Sequence, residues 1–232
     1  MKKTGILILM VVLLGACRYK TGSGNIITDN RSLAAFTGVK ASSGFEVEIK
    51  TGMPQSVMVE ADDNLMKYII TEVNNGMLRI GIRDNTSLHD AHLKVFVTAP
   101  EINKVLASSA AEITVKNWLR SSGKITLDAS SGAGIETDLD APEIDADASS
   151  GSTLKLTGRT MNLLAKASSG GSVKASGLMS ENATARSSSG SSIRIHASVS
   201  LKASASSGST VRYKGGAAVS KEESSGGSVE KE

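Results

Sequence analysis

Ala148-Ser149-Ser150-Gly151-Ser152-Thr153-Leu154-Lys155-Leu156 returns 19 residues later as Ala167-Ser168-Ser169-Gly170-Gly171-Ser172-Val173-Lys174-Ala175. The four-residue opening also stands at 129–132 and 205–208, with variants at 41–44, 107–110, 187–190 and 223–226. From Ala110 onward its fourth residue falls at 110, 132, 151, 170, 190, 208 and 226, giving spacings of 18 to 22. A repeat of this length is one coil of a solenoid, whose repeats bury a core only by stacking.

Aligned columns give the repeat its physical content. Three residues after each fourth position stand Val47, Ile113, Ile135, Leu154, Val173, Ile193, Val211 and Val229, all aliphatic. Upstream, Ile125-x-Leu127-x-Ala129, Ile144-x-Ala146-x-Ala148, Leu163-x-Ala165-x-Ala167 and Leu201-x-Ala203-x-Ala205 alternate with period two. That period belongs to strands with one face buried. Each coil is therefore read as two short strands joined by a Ser-Ser-Gly corner. Glycine supplies the positive φ of a sharp corner, and the serine hydroxyls are expected to bond to backbone or to the serine of the next coil. The small Ala and Ser side chains imply a narrow interior. A disordered Gly/Ser linker would have no aliphatic columns.

The fold expected is all-β: a single-stranded, right-handed parallel β-helix of about 18–22 residues per coil, with about ten coils if the N-terminal half shares its axis. Residues 107–232 form the repeat solenoid and 25–106 an N-terminal β part. In that part Phe45-Glu46-Val47-Glu48-Ile49, Ser56-Val57-Met58-Val59, Met77-Leu78-Arg79-Ile80-Gly81-Ile82 and His92-Leu93-Lys94-Val95-Phe96-Val97 read as strands. Asn74-Asn75-Gly76 reads as a hairpin or tight turn, and 63–73 as one or two helical turns. Most of the few aromatics (Phe36, Phe45, Tyr68, Phe96, Trp118) lie in or near this half, which is expected to seed and cap the stack. Glu222, Glu223, Glu230, Lys231 and Glu232 would discourage end-to-end pairing at the other end.

The first residues are an address. Met1-Lys2-Lys3 precedes an apolar run over 6–14 and then Gly15-Ala16-Cys17. The run is short for a bilayer span and has the flanks of a secretory signal. Leu14-Gly15-Ala16-Cys17 resembles the bacterial lipobox, and Cys17 is the single cysteine of the chain. Residues 1–16 are thus expected to be removed, Cys17 acylated, and 17–24 to act as a lipidated tether on a membrane. No Asp follows the cysteine, which favours the outer membrane, on its periplasmic face or at the surface. Without residues 1–16 the net charge is +1, so no global basic field argues for nucleic acid. One cysteine and 3 histidines leave no disulfide framework or cysteine zinc site, and no cofactor is expected.

At this point several motifs resemble the head-GIN-domain family of auto-transporter-adhesin-like domains, frequent in Bacteroidetes lipoproteins. They are Gly22-Ser23-Gly24-Asn25-Ile26, Ala61-Asp62-Asp63-Asn64-Leu65, Val97-Thr98-Ala99-Pro100 and the repeated Ser/Gly corners. The resemblance spans roughly 22–230 and implies a β-helix with no defined catalytic residues. Many members use Ser-Gly-Ser-Gly-Asp corners, where this chain uses Ala-Ser-Ser-Gly.

Few constellations offer chemistry. Ser121-x-x-Lys124 matches a penicillin-recognition pattern but sits between strands rather than at a helix start. His89-Asp90-Ala91-His92 reads as a polar loop before a strand, lacking a third rigid metal ligand. Asp62-Asp63 and Asp138, Asp140, Asp145, Asp147 are the dense carboxylates, read as a solvated face or a calcium site. The sharpest feature is a column four residues after the corner: Glu136, Lys155, Lys174, Arg194, Arg212, Glu230. Its four cations would stack on one outward face, serving solubility or binding polyanions such as lipopolysaccharide or acidic glycan. The function expected is a non-enzymatic envelope lipoprotein, structural or adhesin-like. A polysaccharide-binding or polysaccharide-active β-helix is the alternative, weakened by the scarcity of aromatics in the coils. The oligomeric state is open.

Overall fold

Why the corner residues form a corner is visible in their dihedral angles. Ser131 (φ 53°) and Gly132 (φ 73°) are both left-handed, and the pair recurs at all eight corners, from Ser43-Gly44 to Ser225-Gly226. The Ala133 N–H donates to the Ser130 carbonyl at 3.2 Å, closing a four-residue turn of the kind with two positive central φ values. Glycine is there for φ alone, since a Cβ on Gly132, Gly151 or Gly170 would meet nothing within 4 Å. Ala110 occupies the same position at φ 62°.

The computed structural model describes residues 19–232; residues 1–16, expected to be a signal segment, and Cys17 lie outside the described residues. Strands β1 (Tyr19–Thr21), β2 (Ile26–Arg31), β3 (Gly38–Ala41), β4 (Glu46–Thr51) and β5 (Ser56–Asp62) lead to a single 3₁₀ turn at Met66–Tyr68. Then come β6 (Ile69–Asn74), β7 (Met77–Ile82), β8 (Ser87–His89), β9 (Leu93–Ala99), β10 (Lys104–Ala107), β11 (Glu112–Val115), β12 (Leu119–Arg120) and β13 (Lys124–Ala129). The coils proper follow as β14 (Gly134–Ala148), β15 (Thr153–Ala167), β16 (Ser172–Ser187) and β17 (Ser192–Ala205). Last are β18 (Thr210–Lys214), β19 (Ala218–Glu223) and β20 (Ser228–Lys231).

These strands stack as a parallel β-solenoid. In β14 to β17 the two expected strands of a coil are one continuous strand of 14 to 16 residues that bends between its halves. The aliphatic column is in register throughout: Val47↔Ile113↔Ile135↔Leu154↔Val173↔Ile193↔Val211↔Val229. Every member is buried, and each is worth roughly 1.5–3 kcal/mol relative to exposure. A second interior column narrows along the axis, from Leu78, Val39, Val105 and Leu127 to Ala146, Ala165, Ala185 and Ala203.

Backbone rather than hydroxyl groups joins the corners, which corrects the serine-ladder expectation. The Gly132 N–H donates to the Ser150 carbonyl and Gly151 to Ser169, at 3.0 and 3.1 Å, while the first serine of each corner donates to the preceding coil. The hydroxyls that bind lie one residue past the glycine. Ser152 Oγ donates to the Ala129 carbonyl at 2.6 Å and Ser191 Oγ to that of Ala167 at 2.8 Å.

The stack holds nine rungs from β9 to β20, close to the ten expected, and the rest of the N-terminal half is spent on a cap. The rung of β3 and β4 lies between that of β10 and β11 on one side and β7 with β9 on the other. Stack order thus departs from chain order. Beyond β9 and β7 the chain closes the end with antiparallel pairings, β5 on β9, β2 on β5 and β6 on β7. The turn at Asn75 (φ 50°) and Gly76 (φ 72°) is the hairpin read from Asn74-Asn75-Gly76. Only one short 3₁₀ turn forms within 63–73; a turn at 63–65 precedes it and β6 follows from Ile69.

At the other end, the second interior column closes with Lys221 opposite Ala203, and the neighbouring column puts Glu223 opposite Ala205. Lys221 pairs with Glu223 at 3.3 Å, and Glu223 accepts from the Val229 N–H at 2.6 Å. Charges at inward positions keep another sheet edge from continuing the stack.

Candidate functional site

Because successive strand residues point to opposite faces, the residue after each buried aliphatic faces outward. Register sets Lys155 beside Lys174, Lys174 beside Arg194 and Arg194 beside Arg212, one strand spacing apart. Glu136 precedes and Glu230 follows. The structure brings together all four predicted cations, and it adds what the sequence did not give. Lys155 Nζ sits 2.6 Å from Glu136, Arg212 Nε 3.2 Å from Glu230 and Arg194 Nε 3.7 Å from Glu232. Lys174 makes no ion pair among the described residues. Side chains of Lys155, Arg194 and Arg212 are 40–59% exposed, so these pairs are solvent-screened and exchangeable.

On the other outward face Asp128, Asp147, Lys166, Arg186, Ser204 and Glu222 stack in register. Burial, then the neighbouring Asp128 charge, pushes the Asp147 carboxyl above the usual carboxylate range, against the pull of Lys166.

Sequence reasoning missed a groove of about 460 Å³ on the bend between strand halves, lined by Asp140, Pro142, Arg159, Met161, Met179 and His196. It arises where coil lengths change. The pairing of β16 with β17 jumps between Ala175 and Met179, leaving three residues of β16 unopposed. Met161 and Met179 are each 52% exposed. Arg159 clamps Asp140 through Nε at 3.0 Å and Nη2 at 2.7 Å, which holds that carboxyl below its usual range. The Ser180 hydroxyl donates to the His196 carbonyl, and His196 Nδ1 is buried without a partner. The signal for the groove was the spacing change from 20 to 18 between consecutive corners.

The remaining candidates are committed elsewhere. Lys124 reaches Glu143 at 3.1 Å and Asp145 at 3.2 Å, while Ser121 Oγ accepts from the Gly123 N–H. His89 faces Asp90 and His92 faces Glu60, so the two imidazoles do not converge. Among the described residues no group of three His, Cys, Asp or Glu could hold a metal.

Asp62 and Asp63 instead form a clasp on the segment that begins four residues after Cys17. Asp62, buried, accepts from the Gly24 N–H at 2.7 Å and the His92 N–H at 2.8 Å. Asp63 accepts from Ser23 Oγ at 2.6 Å and Asn25 Nδ2 at 2.9 Å, and Asn64 Nδ2 donates to the Thr21 carbonyl. These bonds, led by those from His92 and from Ser23 respectively, hold both carboxyls below their usual range. Gly22 is required by contact, since a Cβ there would lie 2.5 Å from the Asp62 carboxylate.

The clasp joins the two N-terminal motifs, and the corners carry the repeat. A family model described as putative auto-transporter adhesin, head GIN domain, matches residues 35–217. The chain belongs to the head GIN domain family. Solved structures share the fold of this head GIN domain. A putative adhesin from Bacteroides fragilis NCTC 9343 is 17% identical, with 91% of this chain and 98% of that chain covered and a TM-score of 0.84. A putative lipid binding protein from Parabacteroides distasonis ATCC 8503 is 17% identical, covering 93% and 100%, with a TM-score of 0.77. A putative adhesin from Parabacteroides merdae ATCC 43184 is 18% identical, covering 92% and 99%, with a TM-score of 0.74. No curated protein matches the chain.

Proposed function

We propose that this head GIN domain is a non-enzymatic, lipid-anchored module of the outer membrane that binds polyanions in an adhesin-like manner. The observation carrying this reading is the in-register column Lys155, Lys174, Arg194, Arg212 on an exposed face of a rigid rod. Cations one strand spacing apart can meet successive phosphates or carboxylates of lipopolysaccharide or an acidic glycan, each contact weak and the sum strong. The carboxylates of Glu136, Glu230 and Glu232 would act as exchangeable partners that a polyanion displaces. Family membership supports an adhesin-like role, and the Leu14-Gly15-Ala16-Cys17 motif supports acylation of Cys17. The structural commitments of Lys124, His89 and His92 support a non-enzymatic reading over a polysaccharide-active one.

The test is to replace all four cations by Gln and measure binding of lipopolysaccharide and of an acidic glycan. Loss of salt-dependent binding is expected. Unchanged binding, or none by the wild type, overturns the reading. Protease shaving of intact cells separates a surface role from a periplasmic one.

The groove favours a second reading, as a site for an apolar chain. It has methionine walls, and one structural neighbour carries the name lipid binding protein.

A further inference from the structure

Tyr19, the first described residue, follows Cys17 by two positions, a reach of at most about 7 Å in extended chain. From Tyr19 onward the segment is not free. Tyr19–Thr21 pairs in parallel with Ser87–His89, and the Gly22 N–H donates to the His89 carbonyl at 3.3 Å. Ser23, Gly24 and Asn25 are then held by the Asp62-Asp63-Asn64 clasp. Between the clasp and an acylated cysteine there is no length of chain in which the rod could swing far.

The surface at this point suits a lipid interface. Tyr19 is 65% exposed. Lys20 Nζ lies 5.0 Å and Lys67 Nζ 5.4 Å from the centre of the Tyr68 ring. Tyrosines and lysines with apolar stems are the side chains that settle at the headgroup level of bilayers.

We infer that the clasp fixes the orientation of the module on its membrane: the N-terminal cap, with Tyr19, Lys20, Lys67 and Tyr68, lies against the lipid headgroups, and the rod projects from it. The inference rests on the acylation of Cys17 proposed above. The connection from β7 to β9, which carries β8, occupies the corner side of the rung farthest from the repeats. Counting rungs from β9, Lys155 stands four away and Arg212 seven away. At about 4.8 Å per rung the basic column spans roughly 19 to 34 Å from that rung. It is displayed beyond the headgroups rather than against them.

The test uses the full acylated chain in a Trp118→Phe background, reconstituted in phosphatidylethanolamine–phosphatidylglycerol vesicles with brominated acyl chains. Tryptophan is placed at the cap (Tyr68→Trp) or far along the rod at exposed Val199 (Val199→Trp). Bromine quenching several-fold stronger at residue 68 is expected. Equal quenching, or stronger quenching at residue 199, overturns the orientation. Adding Asp63→Ala with Asn64→Ala removes exposed clasp residues and leaves the coils intact, as checked by circular dichroism. Quenching at residue 68 should then fall, and an unchanged value overturns the clasp as the orienting device. Fatty-acid labelling of the same chains, compared with Cys17→Ser, separates the two layers. A labelled chain with the wrong quenching order refutes the orientation alone, whereas an unlabelled chain refutes the acylation and the orientation with it.

Discussion

Gly170 and Gly171 are adjacent in sequence and are glycine for opposite reasons, which gives a sharp test of how the corners work. Gly170 has φ 74°, and a Cβ there would meet nothing within 4 Å. Substituting alanine therefore costs only the left-handed backbone, about 1–2 kcal/mol. About 0.4–1 kcal/mol of that is recovered from the stiffer unfolded chain. A net loss near 1 kcal/mol should lower the Tm by about 2–4 °C in a chain of this size. At Gly171 the backbone is ordinary, but a Cβ would lie 2.1 Å from the Ala148 carbonyl oxygen, inside the stack. That oxygen is backbone of the neighbouring coil, so Gly171→Ala must displace a rung and should cost more than Gly170→Ala. The structure supplies the converse as well. Ala110 carries the left-handed strain naturally, at φ 62°, and Ala110→Gly should leave stability unchanged or raise it, by up to about 1 kcal/mol. Thermal and urea unfolding of the Cys17→Ser chain, followed by far-UV circular dichroism, measures all three. Gly170→Ala proving worse than Gly171→Ala, or Ala110→Gly destabilising, would refute the separation of conformational from steric need.

Ile193→Ala, which empties a fully buried site between Val173 and Val211, should cost about 2–5 kcal/mol in urea unfolding. Asp62→Asn should cost about 2 kcal/mol, since two backbone donors lose a charged acceptor. Because the Asp62 carboxyl is held below its usual range, its contribution is present above about pH 4 and lost as pH falls through the folded-state value. Asp147 runs the other way: its raised value means the charged form costs stability at neutral pH and relief comes on acidification. Asp147→Asn should therefore raise the neutral-pH melting temperature and flatten its pH dependence. Replacing Lys221 and Glu223 by alanine restores the small interior residues of earlier coils, and sedimentation should then detect concentration-dependent end-to-end association that the wild type lacks.

Much of this protein is legible in its sequence, because the deciding features are local or periodic. Alternation in Ile144-x-Ala146-x-Ala148 follows from strand geometry, and Ser-Ser-Gly at the repeat positions marks a left-handed corner, which the off-period Ser121-Ser122-Gly123 does not form. Coils of nearly equal length then bring equivalent residues into register, so the neighbours of Lys174 could be named from spacing alone. Tertiary structure decided what depends on contacts between distant segments. It put the β7–β9 rung outside the β3–β4 rung, because the stack needed a closed end. It joined Gly22-Ser23-Gly24-Asn25 to Asp62-Asp63-Asn64 across about forty residues, where hydrogen-bond donors from the first segment met acceptors left by the second. It also set glutamates against three of the four stacked cations and opened a groove where one coil outgrew the next. Period fixes what repeats; ends, mismatches and side-chain reach are settled only when the chain closes on itself.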